Sequence, residues 1–360
     1  MPNSPLTARE TRVIFRCGRD YVVRDVIDSA YFRGELKSCW EEFLRGVAAE
    51  EEATESDLDA DDDAISSAAE TFRYERDLIT AEETEHWLEE RGLALEDFAD
   101  YFNRVYWRNA LDAKGPAEPL EFRSAPPELR ESLTAELFLS GDFDRMAQMQ
   151  SWKVAASRAA GDDLPSELRE AERARFLARE GVAPNELPGL LDQLERDPSW
   201  FDEMISSEAS YRRQSETLLS GPGPNQELAN LRLPLTRFEV EVVEMESRDA
   251  AAEALFCVRE DGMSMEEVAA EGSYPYRRTT VLLEDVPVDS QQKFLSASAG
   301  EVLDPIALGD GFRLCRVMGK SEPTLDDPVV RTRVEGWILR RHFSELTAQH
   351  IEWTSVTPAL

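Results

Sequence analysis

The sequence predicts a mainly helical protein with an α+β unit in its last third. Three observations carry this. Apolar residues recur at steps of three and four over most of residues 1–220, a breaker cluster Gly221-Pro222-Gly223-Pro224 interrupts the chain, and a period-two run, Phe238-Glu239-Val240-Glu241-Val242-Val243, follows it. At 360 residues the chain is long for a single core, so more than one domain is expected.

Val13-Ile14-Phe15-Arg16 and Tyr21-Val22-Val23 flank Cys17-Gly18-Arg19-Asp20, the pattern of two short strands about a turn, which predicts a small hairpin or an extended arm. Over residues 24–49, Val26, Ile27, Ala30, Leu36, Trp40, Phe43 and Leu44 keep helical spacing with a break near Gly34, which predicts a pair of amphipathic helices. Residues 50–63 hold nine acids and almost no large apolar side chain, so they are expected as a solvated loop. Asp57, Asp59 and Asp61 open like a calcium loop, but Asp62 stands where glycine is needed and Ala68 where a bidentate glutamate belongs, so no metal site is assigned. Thr80 with Glu83 three residues on is a capping box, and Gly92 is a left-handed stop. The next helix, expected over 95–111, carries Phe98, Tyr101, Phe102, Val105 and Tyr106 on one face, a stripe read as core.

Two fragments of this half recur. Trp87-Leu88-Glu89-Glu90-Arg91-Gly92-Leu93-Ala94-Leu95-Glu96-Asp97-Phe98 aligns with Phe176-Leu177-Ala178-Arg179-Glu180-Gly181-Val182-Ala183-Pro184-Asn185-Glu186-Leu187, and Tyr31-Phe32-Arg33-Gly34-Glu35-Leu36 with Phe138-Leu139-Ser140-Gly141-Asp142-Phe143. The paired glycines are 58 residues apart in the first copy and 40 in the second, a difference accounted for mostly by the acidic segment. Residues 24–112 and 128–220 are therefore read as duplicated helical modules joined by Gly115-Pro116-Ala117-Glu118-Pro119; chance likeness between short amphipathic helices is the alternative.

After the breaker cluster the strand at 238–243 is followed by helices over 247–260 and 264–271, strands at 279–283 and 311–317, and a helix over 288–298 between them. Asp327-Pro328 then starts a long helix reaching residue 351, with Val330, Val334, Trp337, Ile338 and Leu346 on its apolar face. The expected domains are 1–112 (strand arm and first helical module), 113–220 (second helical module), 221–325 (α+β domain) and 326–360 (C-terminal helix packing back on the modules). Arg331, Arg333, Arg340 and Arg341 on that last helix are expected to meet the acidic face of the N-terminal helices.

There are 73 Asp and Glu against 40 Lys and Arg, a formal charge of -33, which repels phosphate backbones and anionic lipid surfaces and excludes nucleic acid and membrane as expected partners. Cationic segments are attracted instead. Met1-Pro2-Asn3-Ser4-Pro5-Leu6 has no basic segment before an apolar stretch, and no run of 18 apolar residues occurs, so a cytoplasmic location is expected. Cys17, Cys39, Cys257 and Cys315 are scattered and read as reduced thiols; His86, His342 and His350 have no partners at metal-ligand spacing. Phosphate loops, nucleophile elbows and zinc-protease helices are absent, so no cofactor is expected.

Phe294, the run Ala299-Gly300-Glu301-Val302-Leu303-Asp304-Pro305-Ile306, and Gly309-Asp310-Gly311-Phe312-Arg313-Leu314 resemble the closing helix, Gly-Glu turn and last strand of the parvulin-type peptidyl-prolyl isomerase domain. Thr236-Arg237-Phe238-Glu239-Val240 and the helix holding Ala252 and Leu255, with Gly262 beyond it, are compatible with its opening, and the likeness covers about a quarter of the chain. Helices before the domain and one long helix after it resemble the SurA-like chaperones, whose terminal helices pack into a peptide-binding core. The resemblance implies a peptide or unfolded polypeptide as ligand, a proline-containing one included, and the net charge favours a cationic one.

The departures lie in the chemistry. That family places one histidine in the opening strand and another after the Gly-Phe or Gly-Tyr of the last strand; the corresponding positions here are Phe238 and Arg313, and the Gly-Gly-Asp-Leu-Gly loop is not recognisable in Tyr274-Pro275-Tyr276-Arg277-Arg278. A catalytically degenerate member is expected, with no catalytic residue assigned, serving a dedicated peptide maturation system. Phe238, Phe294, Phe312 and Arg313 are expected to line a peptide groove; the alternative makes the phenylalanines core and pairs Arg313 with a surface acid. Isomerisation lowers a barrier of about 20 kcal/mol mainly by binding a twisted amide, so an active isomerase with an atypical site is the second reading. A structural protein-protein interaction subunit is the third.

Overall fold

β1 (Val13–Arg16) and β2 (Asp20–Val22) form the expected hairpin, with Gly18 at φ +72° in its turn. Phe15 stacks on Tyr21 with ring centroids 4.6 Å apart. This computed structural model describes residues 7–111, 120–161, 164–309 and 311–354; the N-terminal hexapeptide, the linker Gly115-Pro116-Ala117-Glu118-Pro119 and Asp310 lie outside the described residues. The chain divides into two compact units, Met1–Ser215 with His342–Leu360, and Glu216–Arg341.

The first unit is helical. α1 (Val23–Arg33) ends at Gly34 in the left-handed region, φ +80°, and α2 (Leu36–Glu55) follows. α2 therefore runs into the segment expected as an acidic loop: glutamate propagates a helix well, and Ala49 and Ala53 are buried against Trp107. The remaining turn ends at Asp61, whose carboxylate caps α3 (Asp62–Glu75) by accepting from the amides of Asp63 and Ala64. α4 (Ala81–Arg91) has the predicted capping box, Glu83 N donating to Thr80 Oγ1 at 3.1 Å and Thr80 N to Glu83 Oε2 at 2.8 Å. α5 (Leu95–Ala110) buries Phe102 and Trp107.

A second set, α6 (Pro127–Ser140), α7 (Asp142–Ala160), α8 (Ser166–Glu180) and α9 (Leu187–Gln193), repeats helix, left-handed glycine, helix at Gly141 (φ +84°) and Gly181 (φ +64°). These match Gly34 and Gly92 in the aligned fragments. The expected boundary between 1–112 and 113–220 runs through a core in which Phe43, Leu88 and Phe102 lie with Leu133, Phe138 and Phe143, while Phe176, Leu190 and Phe201 form a second cluster with Phe32. Buried charge ties the unit further: Arg196 pairs with Asp28 at 2.6 Å and Asp25 at 3.0 Å. α10 (Pro198–Leu219) closes the set.

In the second unit the breaker cluster is not a plain linker, because Gly223–Asn230 forms α11 with proline in its first turn, where the missing amide costs nothing. β3 (Arg237–Met245) is followed by α12 (Arg248–Arg259), capped by Ser247, and α13 (Met265–Gly272), capped by Ser264 and Glu267. β4 (Tyr276–Leu282) starts three residues earlier than the 279–283 expected, taking in Tyr276, Arg277 and Arg278. α14 (Val288–Ser296), β5 (Ile306–Leu308) and β6 (Gly311–Ser321) complete an antiparallel sheet of order β4-β3-β6-β5.

β3 is central, buried at consecutive positions Val242 and Val243, rather than half-buried as its alternation suggested. One sheet face packs Phe238, Val240, Val242, Cys315 and Val317 under Phe294 of α14; the other packs Val243, Met245 and Leu314 against α12 and α13. α15 (Pro328–His350) buries Val330, Val334 and Ile338 with Leu235 and Leu282, while Phe343, near its end, stacks with Tyr211 and Trp152 of the first unit's own core. Of its arginines, Arg333 pairs with Glu284 and Asp285, Arg341 with Glu227, and Arg331 Nε donates to the Leu325 carbonyl. Those acids belong to the same unit and are nearer along the chain. β7 (Glu352–Trp353) joins β1, giving the sheet β2-β1-β7. The architecture is mainly α with an α+β domain, as the sequence predicts.

Candidate functional site

The sheet of the second unit holds the residues on which the sequence reading turned. Phe238 is fully buried and Phe294 is 3 % exposed, their rings edge-to-face at 5.4 Å. They are core, each contributing on the order of 1.5–3 kcal/mol by burial. Phe312 lies in the opposite layer, against the cluster of Val243 and Leu314. Phe238, Phe294, Phe312 and Arg313 therefore do not line one groove: the central strand buries both faces, and successive residues of β6 point to opposite sides.

The ladder also separates Phe238 from Arg313. Phe238 faces Lys320 and Arg313 faces Glu244, six residues further along β3, which is about 20 Å of strand. Arg313 Nε donates to Glu244 Oε1 at 2.8 Å, and Arg277 Nη2 donates to the same oxygen at 2.9 Å. On the other face a second carboxylate, Glu241, is 4 % exposed and accepts from Tyr276 OH at 2.9 Å and Arg278 Nε at 2.9 Å, with Arg316 at 3.4 Å. Burial pushes the Glu241 carboxyl up, but the hydrogen bonds from Tyr276 and Arg278 and the two guanidinium charges outweigh it and hold it below the ordinary range. The Cys315 thiol, closed in the core, is pushed up to about 11 by burial.

The unit spanning Glu216–Arg341 contains no histidine, the carboxylates of Glu241 and Glu244 are each shared by two arginines, and the buried Cys315 thiol is pushed up, away from neutrality. Glu241, Glu244, Tyr276, Arg277 and Arg278 were missed by sequence reasoning. The signal was present, since glutamates inside an apolar strand must be paired once that strand is central, and an Arg-Arg step supplies one partner to each face.

The helical unit carries an open cleft of about 590 Å³, bordered by Glu121, Arg123, Glu180, Gly181, Glu186 and Gln193. Glu180 accepts from Tyr31 OH at 2.6 Å and Arg179 Nε at 3.1 Å, and Glu186 accepts from the Ala183 amide at 2.9 Å. Carboxylates held this way face a polar, solvent-open recess with the apolar Leu190 at its wall. Among the described residues no group of three or more His, Cys, Asp or Glu is placed to hold a metal ion, and no helix is long and apolar enough to cross a membrane.

No family model and no curated protein matches the chain. Solved structures similar to it include peptidylprolyl isomerase PrsA from Bacillus anthracis, at 12% identity and TM-score 0.30, covering 55% of this chain and 92% of that one. The foldase protein PrsA from Lactococcus lactis is similar at 14% identity and TM-score 0.28, over 61% and 90%. A structure from work on PEB4 and Cj1289, two SurA-like chaperones of Campylobacter jejuni, is similar at 12% identity and TM-score 0.19, over 63% and 89%. Scores of this size carry neither fold nor function across.

Proposed function

We propose that this chain is a non-catalytic holder of peptide or unfolded polypeptide, a degenerate relative of the parvulin-type isomerases that acts in the cytoplasm within a dedicated peptide maturation system. The observation that carries holding over turnover is the state of the sheet's polar end. Arg313 is tied to Glu244, which Arg277 shares, Phe238 is core, and neither position holds a histidine. The unit that holds the sheet has no histidine to exchange a proton with a bound prolyl amide as it twists. The cleft of the helical unit suits a cationic ligand: recessed glutamates on a chain of charge -33 favour lysine-bearing segments.

Titration with unstructured Lys- and Pro-containing peptides is expected to give saturable binding that weakens with salt, and absence of binding by every such peptide overturns the proposal. A proline-limited refolding assay is expected to run at the uncatalysed rate. Acceleration would make the chain an isomerase with an atypical site.

A further inference from the structure

Strand β4 is a sheet edge: among the described residues it pairs with β3 and with no other strand. The phase of that ladder is fixed at both ends, where the Leu283 amide donates to Thr236 O at 3.0 Å and the Glu244 amide to Pro275 O at 3.1 Å. Hydrogen-bonded pairs alternate along an antiparallel ladder, so Arg277, Thr279 and Val281 turn their backbone groups to β3. Tyr276, Arg278 and Thr280 turn theirs outward. The strand is seven residues long, without proline, and rich in β-formers, the kind of edge that accepts another strand.

Charge at this edge has the opposite sign to the chain. On one face Glu244 is shared by Arg277 and Arg313; on the other Glu241 is shared by Arg278 and Arg316. Each cluster sets two guanidiniums around one carboxylate and so keeps one positive charge. The outermost member of each, Arg277 and Arg278, is the more exposed, at 50% and 70%. Being consecutive, they project to opposite faces.

We propose that the β4 edge captures an extended polypeptide segment bearing two adjacent acidic residues. The segment adds as a fifth strand through the outward backbone groups of Tyr276, Arg278 and Thr280, and its two carboxylates, projecting to opposite faces, meet Arg277 and Arg278. Acids spaced one residue apart would both fall on one face and reach one cluster only. The inference goes beyond the holding proposal and shares no residue with the helical cleft.

The test uses the full chain and labelled hexapeptides: Thr-Val-Glu-Asp-Val-Thr, its isomer Thr-Glu-Val-Asp-Val-Thr, and Thr-Val-Lys-Lys-Val-Thr. The adjacent-acid peptide is expected to bind at least fivefold more tightly than the spaced isomer, and the lysine peptide not to bind this edge. Thr280→Pro removes an outward amide while leaving the β3 ladder intact, and is expected to weaken the adjacent-acid peptide at least tenfold with an unchanged far-UV spectrum. Should that variant not fold, Arg277→Gln with Arg278→Gln is expected to erase the difference between the two acidic isomers. Equal binding of the isomers by the unmodified chain, binding insensitive to a folded T280P, or self-association that T280P abolishes and the acidic peptide does not compete with, each overturns the proposal. Titrating the same T280P protein with the Lys- and Pro-containing peptides separates the two ideas, since failure there alone sinks the holding proposal and leaves the edge intact.

Discussion

Glu241 is a carboxylate in the middle strand of a sheet, kept ionised by what surrounds it. Burial raises its pKa from 4.5, while the Tyr276 and Arg278 hydrogen bonds and the guanidinium charges lower it further than burial raises it. A carboxyl depressed by folding contributes stability that is fully present above its unfolded pKa and is lost as pH falls through the folded one. Glu241→Gln is therefore expected to cost about 1–3 kcal/mol at neutral pH, with the penalty shrinking as pH drops below about 4. Urea unfolding of both proteins at neutral and acidic pH measures this, and a penalty independent of pH would show that the carboxylate's charge is not what stabilises. At the same scale, the sequence placed Phe238 in a strand and left open whether it lined a groove or packed as core; it is core. Its burial depends on α14 arriving with Phe294, some fifty residues later, and no local pattern reports that.

Elements with chemical punctuation were readable; elements that depend on a neighbour were not. The capping box at Thr80, the stop at Gly92 and the break at Gly34 appear in the structure as read, because the capping groups are adjacent in sequence. α2 overran its predicted end because the face formed by Ala49 and Ala53 is apolar only in relation to Trp107. β5 and β7 were missed because strands of three and two residues hold no period and exist through β6 and β1. The two aligned glycines give a graded test. Gly141 has open space where a Cβ would stand, so Gly141→Ala is expected to cost about 1 kcal/mol from its φ of +84° alone. At Gly34 a Cβ would meet Arg179 Cδ at 3.1 Å, displacing a guanidinium that donates to the Phe32 carbonyl. Gly34→Ala is expected to be the more destabilising in thermal melts; equal costs would remove Arg179 from the account.

For the whole molecule, composition reported the sign of the charge but not its arrangement. A formal charge of -33 strains any compact state, and screening relieves it, so the melting temperature is expected to rise as sodium chloride goes from about 10 mM to about 200 mM. A fall would mean that the ion pairs of the interior and sheet dominate. The division into units was also out of reach of the sequence, because it is set by which segments share a core and one unit is not continuous. Thr354 shows what that entails: its amide donates to Ile14 O at 3.0 Å and its hydroxyl to Val13 O at 2.8 Å, beside the rung between Trp353 and Phe15. The helical unit thus draws its last strand, and the Phe343 that stacks on Tyr211, from residues the ribosome adds after every residue of the sheet unit. During synthesis the later-starting unit can close first, as an uninterrupted stretch, while the N-terminal hairpin keeps one flank of its backbone open to water until residue 354 emerges.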